Sequence, residues 1–214
     1  MRNKFDRQLQ ILEEQLIHMG ELCESAIANA TKALSDGSIE QAKAVINADA
    51  EIDEMEKDIE KLCLKLLLQQ QPVAKDLRRI SAALKMITDM ERIGDQTSDI
   101  AEIIISSKWE KMDENLDKLT AMATGVSKMV RNSVTAYVEK DLELARTVMN
   151  DDDEIDDYFD EIRDQIIQLI REGDGRDGRK LFDFIMVTKY LERIGDHATN
   201  IAAVSYTHLR AHET

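Results

Sequence analysis

The sequence is short of everything that breaks or crosslinks helices. It has one proline, Pro72, eight glycines in 214 residues, and 4% aromatic side chains. So few turn-formers and so few β-favouring residues exclude a sandwich or barrel and leave helices throughout. Its two cysteines, Cys23 and Cys63, form no CxxC pair, so no disulfide framework or thiolate zinc site is expected and both read as buried, reduced thiols. Residues Met1 to Gln10 contain no apolar run, so no signal peptide is expected. The longest apolar stretches, such as Leu66 to Leu68 and Ile103 to Ile105, are far too short to span a bilayer, and a cytoplasmic protein without direct membrane insertion is expected.

Positive charge is also scarce: 28 Lys and Arg face 43 Asp and Glu, for a formal net charge of −15. With no basic stripe to neutralise phosphates, nucleic acid is excluded as a partner, and the overall balance argues against docking on anionic lipid. Any membrane connection is therefore expected to run through a partner. Hydrophobic residues make up 43% of the chain, enough to build a core over this length.

Helical periodicity divides the chain into six segments: about 3–34, ended by the Ser35-Asp36-Gly37 turn signal; 39–70, ended before Pro72; 74–107; 113–138; 142–172; and a last helix after the Gly173 to Gly178 cluster, running to about Ser205. Long helices with short joints make antiparallel bundles. The halves repeat. Ala42, Val45, Asn47, Asp49, Glu51, Ile52 and Asp53 recur 103 positions later as Ala145, Val148, Asn150, Asp152, Glu154, Ile155 and Asp156. Glu91-Arg92-Ile93-Gly94-Asp95 recurs 101 positions later as Glu192-Arg193-Ile194-Gly195-Asp196, identical at all five positions. The expected organisation is all-α: two tandem three-helix bundles, 1–108 and 109–204.

The repeated residues carry chemistry. Asp49 with Asp53, Glu91 with Asp95, Asp152 with Asp156, and Glu192 with Asp196 are each four apart, so each pair shares one helix face. Asp99 extends the third-helix line by one turn, with Asn200 in its place in the second half. Counting outward from the joints sets Asp49 and Asp53 level with Glu91 and Asp95, and Asp152 and Asp156 level with Glu192 and Asp196. The apolar stripes are Met86, Ile93, Ile100 and Ile104 on the third helix and Val187, Ile194 and Ile201 on the sixth. On the second helix Ala48, Ile52, Met55, Ile59, Leu62 and Leu66 are expected to face the core. The acids lie off these stripes, on the bundle surface.

Solvated surface carboxylates would have this pattern too, because a like-charge pair at this spacing costs only about 0.2–0.5 kcal/mol. Convergence of two pairs at one level, twice over, favours a cation among them. All-oxygen donors select hard ions such as magnesium, manganese or iron. Gly94 and Gly195 lie mid-helix, where glycine costs about 1 kcal/mol against alanine, and close packing is the expected reason. Arg92 and Arg193 are expected to pair with neighbouring acids. A di-metal oxidase would need inward-facing glutamates with ExxH motifs; no such motif occurs among these acids, so no enzyme is expected.

These motifs, doubled within a six-helix chain, resemble the PhoU family of phosphate-specific transport system accessory proteins over residues 1 to about 204. The resemblance implies a homodimer and metal at the E/DxxxD motifs, with iron, manganese, magnesium or zinc as the candidates. It also implies negative regulation of phosphate uptake and of the phosphate-starvation response. The implied partners are the ATP-binding subunit of the phosphate ABC transporter and a sensor histidine kinase. No catalytic residue carries over. A metal-free helical adaptor acting through charged contacts is the alternative. Residues 205–214, Ser205 to Thr214, depart from the family pattern and read as a non-native tail, and the His208/His212 spacing there is not taken as a site.

Overall fold

A computed structural model of the chain describes residues 2–69, 72–107, 116–173 and 178–210. Six helices account for these: α1 (Arg2–Asp36), α2 (Ile39–Gln69), α3 (Ala74–Ser107), α4 (Leu116–Glu139), α5 (Leu142–Glu172) and α6 (Gly178–Arg210), with no strand among the described residues. The expected bounds of α3 and α5 coincide with these. The expected start of α4 near Asp113 and most of the glycine cluster, 174–177, lie outside the described residues, as do His212 and the last residues of the chain. Helix α6 continues past its expected end near Ser205 to Arg210; Ser205 is buried, with its hydroxyl donating to the Ile201 carbonyl at 2.9 Å.

The repeat extends to the turns. Gly37 closes α1 with φ 64°, in the left-handed region that relieves a helix C-terminus. Its counterpart 103 residues on, Lys140, takes the same conformation at φ 60° without glycine's freedom. Ser38 and Asp141, again equivalent, then cap the following helices: Ser38 Oγ accepts from the Gln41 amide at 3.3 Å and Asp141 Oδ1 from the Leu144 amide at 2.9 Å.

Within each half the three helices pack pairwise, and the halves meet through α1 against α4 and α3 against α6. Helices α1, α3, α4 and α6 therefore form the middle of the molecule, with α2 and α5 outside, on α1–α3 and α4–α6 respectively. One apolar core runs through both halves. The two stripes lie in it as the periodicity predicts: Met86, Ile93, Ile104, Val187, Ile194 and Ile201 have no exposure, and Ile100 has 1%. Cys23 and Cys63 form no disulfide and are buried within it, and burial pushes both thiols up to about 12.

On helix α2 the core-facing residues differ in depth. Ile52, Ile59 and Leu66 are buried, Met55 and Leu62 are half-buried and pack against the core, Ala48 is half-buried, and Ala42, Val45 and Cys63 complete the inner stripe. An outer helix touching two neighbours buries a narrower face than one in the middle.

The interface between halves obeys a pseudo-twofold. Asp89 on α3 meets His197 Nδ1 at 2.9 Å and accepts from Asn200 Nδ2 at 3.2 Å on α6. Asp99 on α3 accepts from the Tyr190 hydroxyl on α6 and lies within the field of Arg193. Since 101 residues separate equivalent positions, Tyr190–Asp99 and Asp89–Asn200 are the same contact seen from each half. Low α3 numbers meet high α6 numbers, so these helices run antiparallel, and the α2–α3 and α5–α6 joints point to opposite ends of a molecule whose 34-residue α3 is roughly 50 Å long.

Candidate functional site

The first set of acids lies along the seam between α2 and α3, within electrostatic reach of one another. The charges of Asp53, Asp95 and Asp99, together with loss of solvent, push the Asp49 carboxyl up to about 6, desolvation being the larger cause. Desolvation and then Asp95 raise Glu91, with Glu56 and Asp53 across the seam adding to the shift. Glu56, half-buried, is raised by desolvation and by Glu60 and Asp53. It continues the α2 acid line seven residues beyond Asp49, and sequence reasoning passed over it. Desolvation and the charges of Glu102 and Asp95 raise Asp99, against the opposing pull of Arg193 and Tyr190.

The same seam recurs between α5 and α6. Desolvation and Asp196 raise Asp152; desolvation and Glu192 raise Asp156. Asp49–Asp95 and Asp152–Asp196 are thus equivalent cross-helix pairs, as are Asp53–Glu91 and Asp156–Glu192. The placement differs from expectation in depth. The acids do not stand on an open surface: Asp49, Asp53, Glu91, Asp95, Asp152 and Glu192 are half-buried between helices, while Asp156 and Asp196 are exposed.

Basic residues cover part of each set. Arg92 donates to Asp95 at 2.9 Å and lies 3.5 Å from Glu91. In the second half Lys189, at 2.5 Å from Glu192 and over the Phe159 ring, supplies the positive charge, and Arg193 instead faces Asp99 of the first half.

The mid-helix glycines explain the depth. A Cβ at Gly94 would stand 2.6 Å from Asp49 Oδ1 and 3.1 Å from Ile52 Cδ1, too close for any real side chain. A Cβ at Gly195 would lie 3.5 Å from Asp152 Oδ1 and 3.3 Å from Ile155 Cγ2. Each glycine opens a notch in one helix into which an aspartate of the next lays its carboxylate. Close packing, the expected reason for the glycines, holds with an addition: what packs there is partly an acid. Asp49 Oδ1, in the tighter notch, is buried with no hydrogen-bond partner in the structure.

A hard cation fits the donor set, which is all carboxylate, and fits the orphaned buried oxygen of Asp49. Among the described residues, however, no three Asp, Glu, His or Cys side chains stand close enough to ligate one ion as placed. The acids are within electrostatic reach of each other, and a shared ion would require their side chains to turn inward.

A duplicated three-helix architecture with paired acidic seams defines a class of all-helical proteins. The PhoU domain matches residues 16–104 and 110–204, once per half. A phosphate-specific transport system accessory protein PhoU homolog of Clostridium acetobutylicum is 36% identical over 201 residues, covering 94% of this chain and 91% of that protein. One from Aquifex aeolicus is 34% identical over 190 residues, covering 89% and 86%. The crystal structure of PhoU from Pseudomonas aeruginosa superimposes with a TM-score of 0.91 at 31% identity, over 97% of this chain and 99% of that one. The phosphate transport system regulatory protein PhoU of Streptococcus pneumoniae gives 0.88 at 26% identity, over 97% of both chains. The chain belongs to the PhoU family.

Proposed function

We propose that this protein is a regulatory accessory protein of a phosphate transport system. It acts in the cytoplasm as a negative regulator of phosphate uptake and of the phosphate-starvation response. It holds a metal cation in each acidic seam, drawn from iron, manganese, magnesium or zinc. Asp49, Asp53, Glu91 and Asp95 form one ligand set; Asp152, Asp156, Glu192 and Asp196 form the other. The ion supplies charge neutralisation and a fixed spacing between α2 and α3 and between α5 and α6; no turnover is involved. Its contacts are the ATP-binding subunit of the phosphate ABC transporter and the sensor histidine kinase, and it works as a homodimer. The names of the relatives support the phosphate role. The observation that carries the metal reading is the unpartnered Asp49 oxygen seated on Gly94 among three further acids, with the matching notch at Gly195.

Alkaline phosphatase output in high phosphate tests the regulatory role. A deletion strain gives constitutive output, this chain restores repression, and failure to restore it sinks the role. Metal analysis after loading tests the ion: retention falls with Glu91→Ala plus Asp95→Ala, and unchanged retention counts against the seam. That no three of the described acids stand close enough to ligate one ion as placed favours a second reading, a metal-free adaptor acting through charge. Pull-down of the transporter's ATP-binding subunit distinguishes the two, because only the metal reading makes it sensitive to chelator.

A further inference from the structure

The net charge of −15 conceals a locally basic segment. Residues 61–79, at the joint of α2 and α3, carry Lys61, Lys65, Lys75, Arg78 and Arg79 against a single acid, Asp76. That acid is buried and accepts from the Val73 amide at 3.3 Å, so its charge is turned inward. Lys61 pairs with Asp58 and Arg79 with Glu13. Lys65 and Lys75 are exposed on the two helices that flank the joint.

The same end displays aliphatic side chains that the core does not use. Leu64, Leu68, Val73 and Leu77 are 47%, 84%, 49% and 44% exposed. Leu64 and Leu68 are one turn apart on the end of α2. Leu77 stands in the first turn of α3, with Val73 just before it. They flank the α2–α3 joint together with Lys65 and Lys75. Exposed aliphatic side chains flanked by lysines suit insertion of short apolar groups into the headgroup layer of a bilayer while the lysines bind anionic lipid.

The equivalent end of the second half provides an internal contrast. Ile167, Ile170 and Phe182 are 40%, 55% and 62% exposed there, and Arg179 and Lys180 stand beside Phe182, but acids are interspersed: Arg163 pairs with Asp160 and Asp164, Arg171 is followed by Glu172, and Phe182 by Asp183. Because the two joints point to opposite ends, the α2–α3 end is the one whose described flank is the more uniformly positive.

We infer that the α2–α3 hairpin end is a peripheral docking site for anionic phospholipid, with Leu64, Leu68 and Leu77 entering the interface and Lys65 and Lys75 on the headgroups. The whole-chain balance, read alone, argued against this, because it averages over a charge distribution that is uneven. The docking crosses no membrane: no helix among the described residues is long and apolar enough to span one.

Flotation of the full chain with vesicles, in chelator so that no metal bridges acids to phosphate, tests the assignment. Phosphatidylglycerol-containing vesicles are expected to carry the protein up at low salt, and pure phosphatidylcholine vesicles are not. Lys65→Gln with Lys75→Gln is expected to lower partition roughly 30-fold. Leu68→Ser is expected to lower it roughly tenfold, and Phe182→Ser to leave it unchanged. All four positions are exposed, and unchanged thermal melts confirm that the variants fold. Absence of flotation, equal flotation on both lipids, insensitivity to the lysine and Leu68 variants, or an equal loss with Phe182→Ser would each overturn the inference. So would loss of transporter pull-down in these variants without vesicle binding, which would make the same end a protein-docking face.

Discussion

Replacing Asp49 by asparagine should make the metal-free protein more stable. The side chain keeps its shape, so the Gly94 notch stays filled, but the charge that the seam disfavours is gone. The Asp49 carboxyl is raised from 3.8 to about 6 by burial and by Asp53, Asp95 and Asp99. A carboxyl whose folded pKa lies above its unfolded value binds its proton more tightly when folded. Stability is therefore fully present below about 4 and falls as pH rises toward about 6, beyond which the loss is complete. Taken at face value the shift is worth about 3 kcal/mol, but the side chain is partly open to solvent and salt, which brings the expected gain of Asp49→Asn at neutral pH to about 1 kcal/mol. For a chain of this size that is a rise in melting temperature of roughly 2–4 °C. Melts in chelator from acidic to neutral pH should show the gap between variant and parent opening across that window. Adding manganese should then reverse the order. The parent gains about 2.7 kcal/mol at a hundredfold excess over its dissociation constant, and the variant, missing a ligand, gains much less. A variant less stable than the parent in chelator, or a gap that ignores pH, would refute the electrostatic account of the seam; equal stabilisation of both proteins by metal would refute Asp49 as a ligand.

Other expectations use the repeat as its own control. Gly94→Ala forces the Asp49 carboxylate and Ile52 apart and should destabilise by about 1–3 kcal/mol, as overpacking does, whereas Gly195→Ala meets only contacts of 3.3 Å and longer and should be near neutral; chemical denaturation of the two variants compares them. Lys140→Gly removes a left-handed non-glycine residue at the equivalent of Gly37 and should stabilise by about 0.5–1 kcal/mol, read as a higher denaturant midpoint. Asp141→Ala loses the cap on the Leu144 amide and should cost about 1 kcal/mol in the same assay.

The helices, the stripes and the levels of the acids were legible because each depends on spacing within one hairpin, where a count of residues from the joint fixes the register. Met55 and Leu62 pack against the core as expected but stay half-buried, as Ala48 does, because periodicity gives the direction of a face and not its depth, which depends on how many neighbours an outer helix has. Asp89, His197 and Tyr190 could not be found at all: their contacts join α3 to α6, and nothing in either helix alone states how the halves dock. The arithmetic could still have hinted at it, since Asp89 and Tyr190 are equivalents 101 residues apart, as are Asp99 and Asn200. Glu56 was within reach, being on the same α2 face as Asp49 and Asp53. The basic hairpin end was visible too, and was obscured by summing charge over the whole chain.

Helix α1 meets α4, its own counterpart, and α3 meets its counterpart α6. A surface that pairs equivalent elements about a twofold is what two identical protomers would form. A peptide holding one repeat alone would expose the apolar faces of its first and third helices and should associate with a second copy of itself into a noncovalent replica of the whole. The linker between the halves would then serve as a tether that raises the local concentration of two self-recognising units, and the present asymmetries, Lys140 for glycine and Asn200 for aspartate, would mark divergence of units that once had to match.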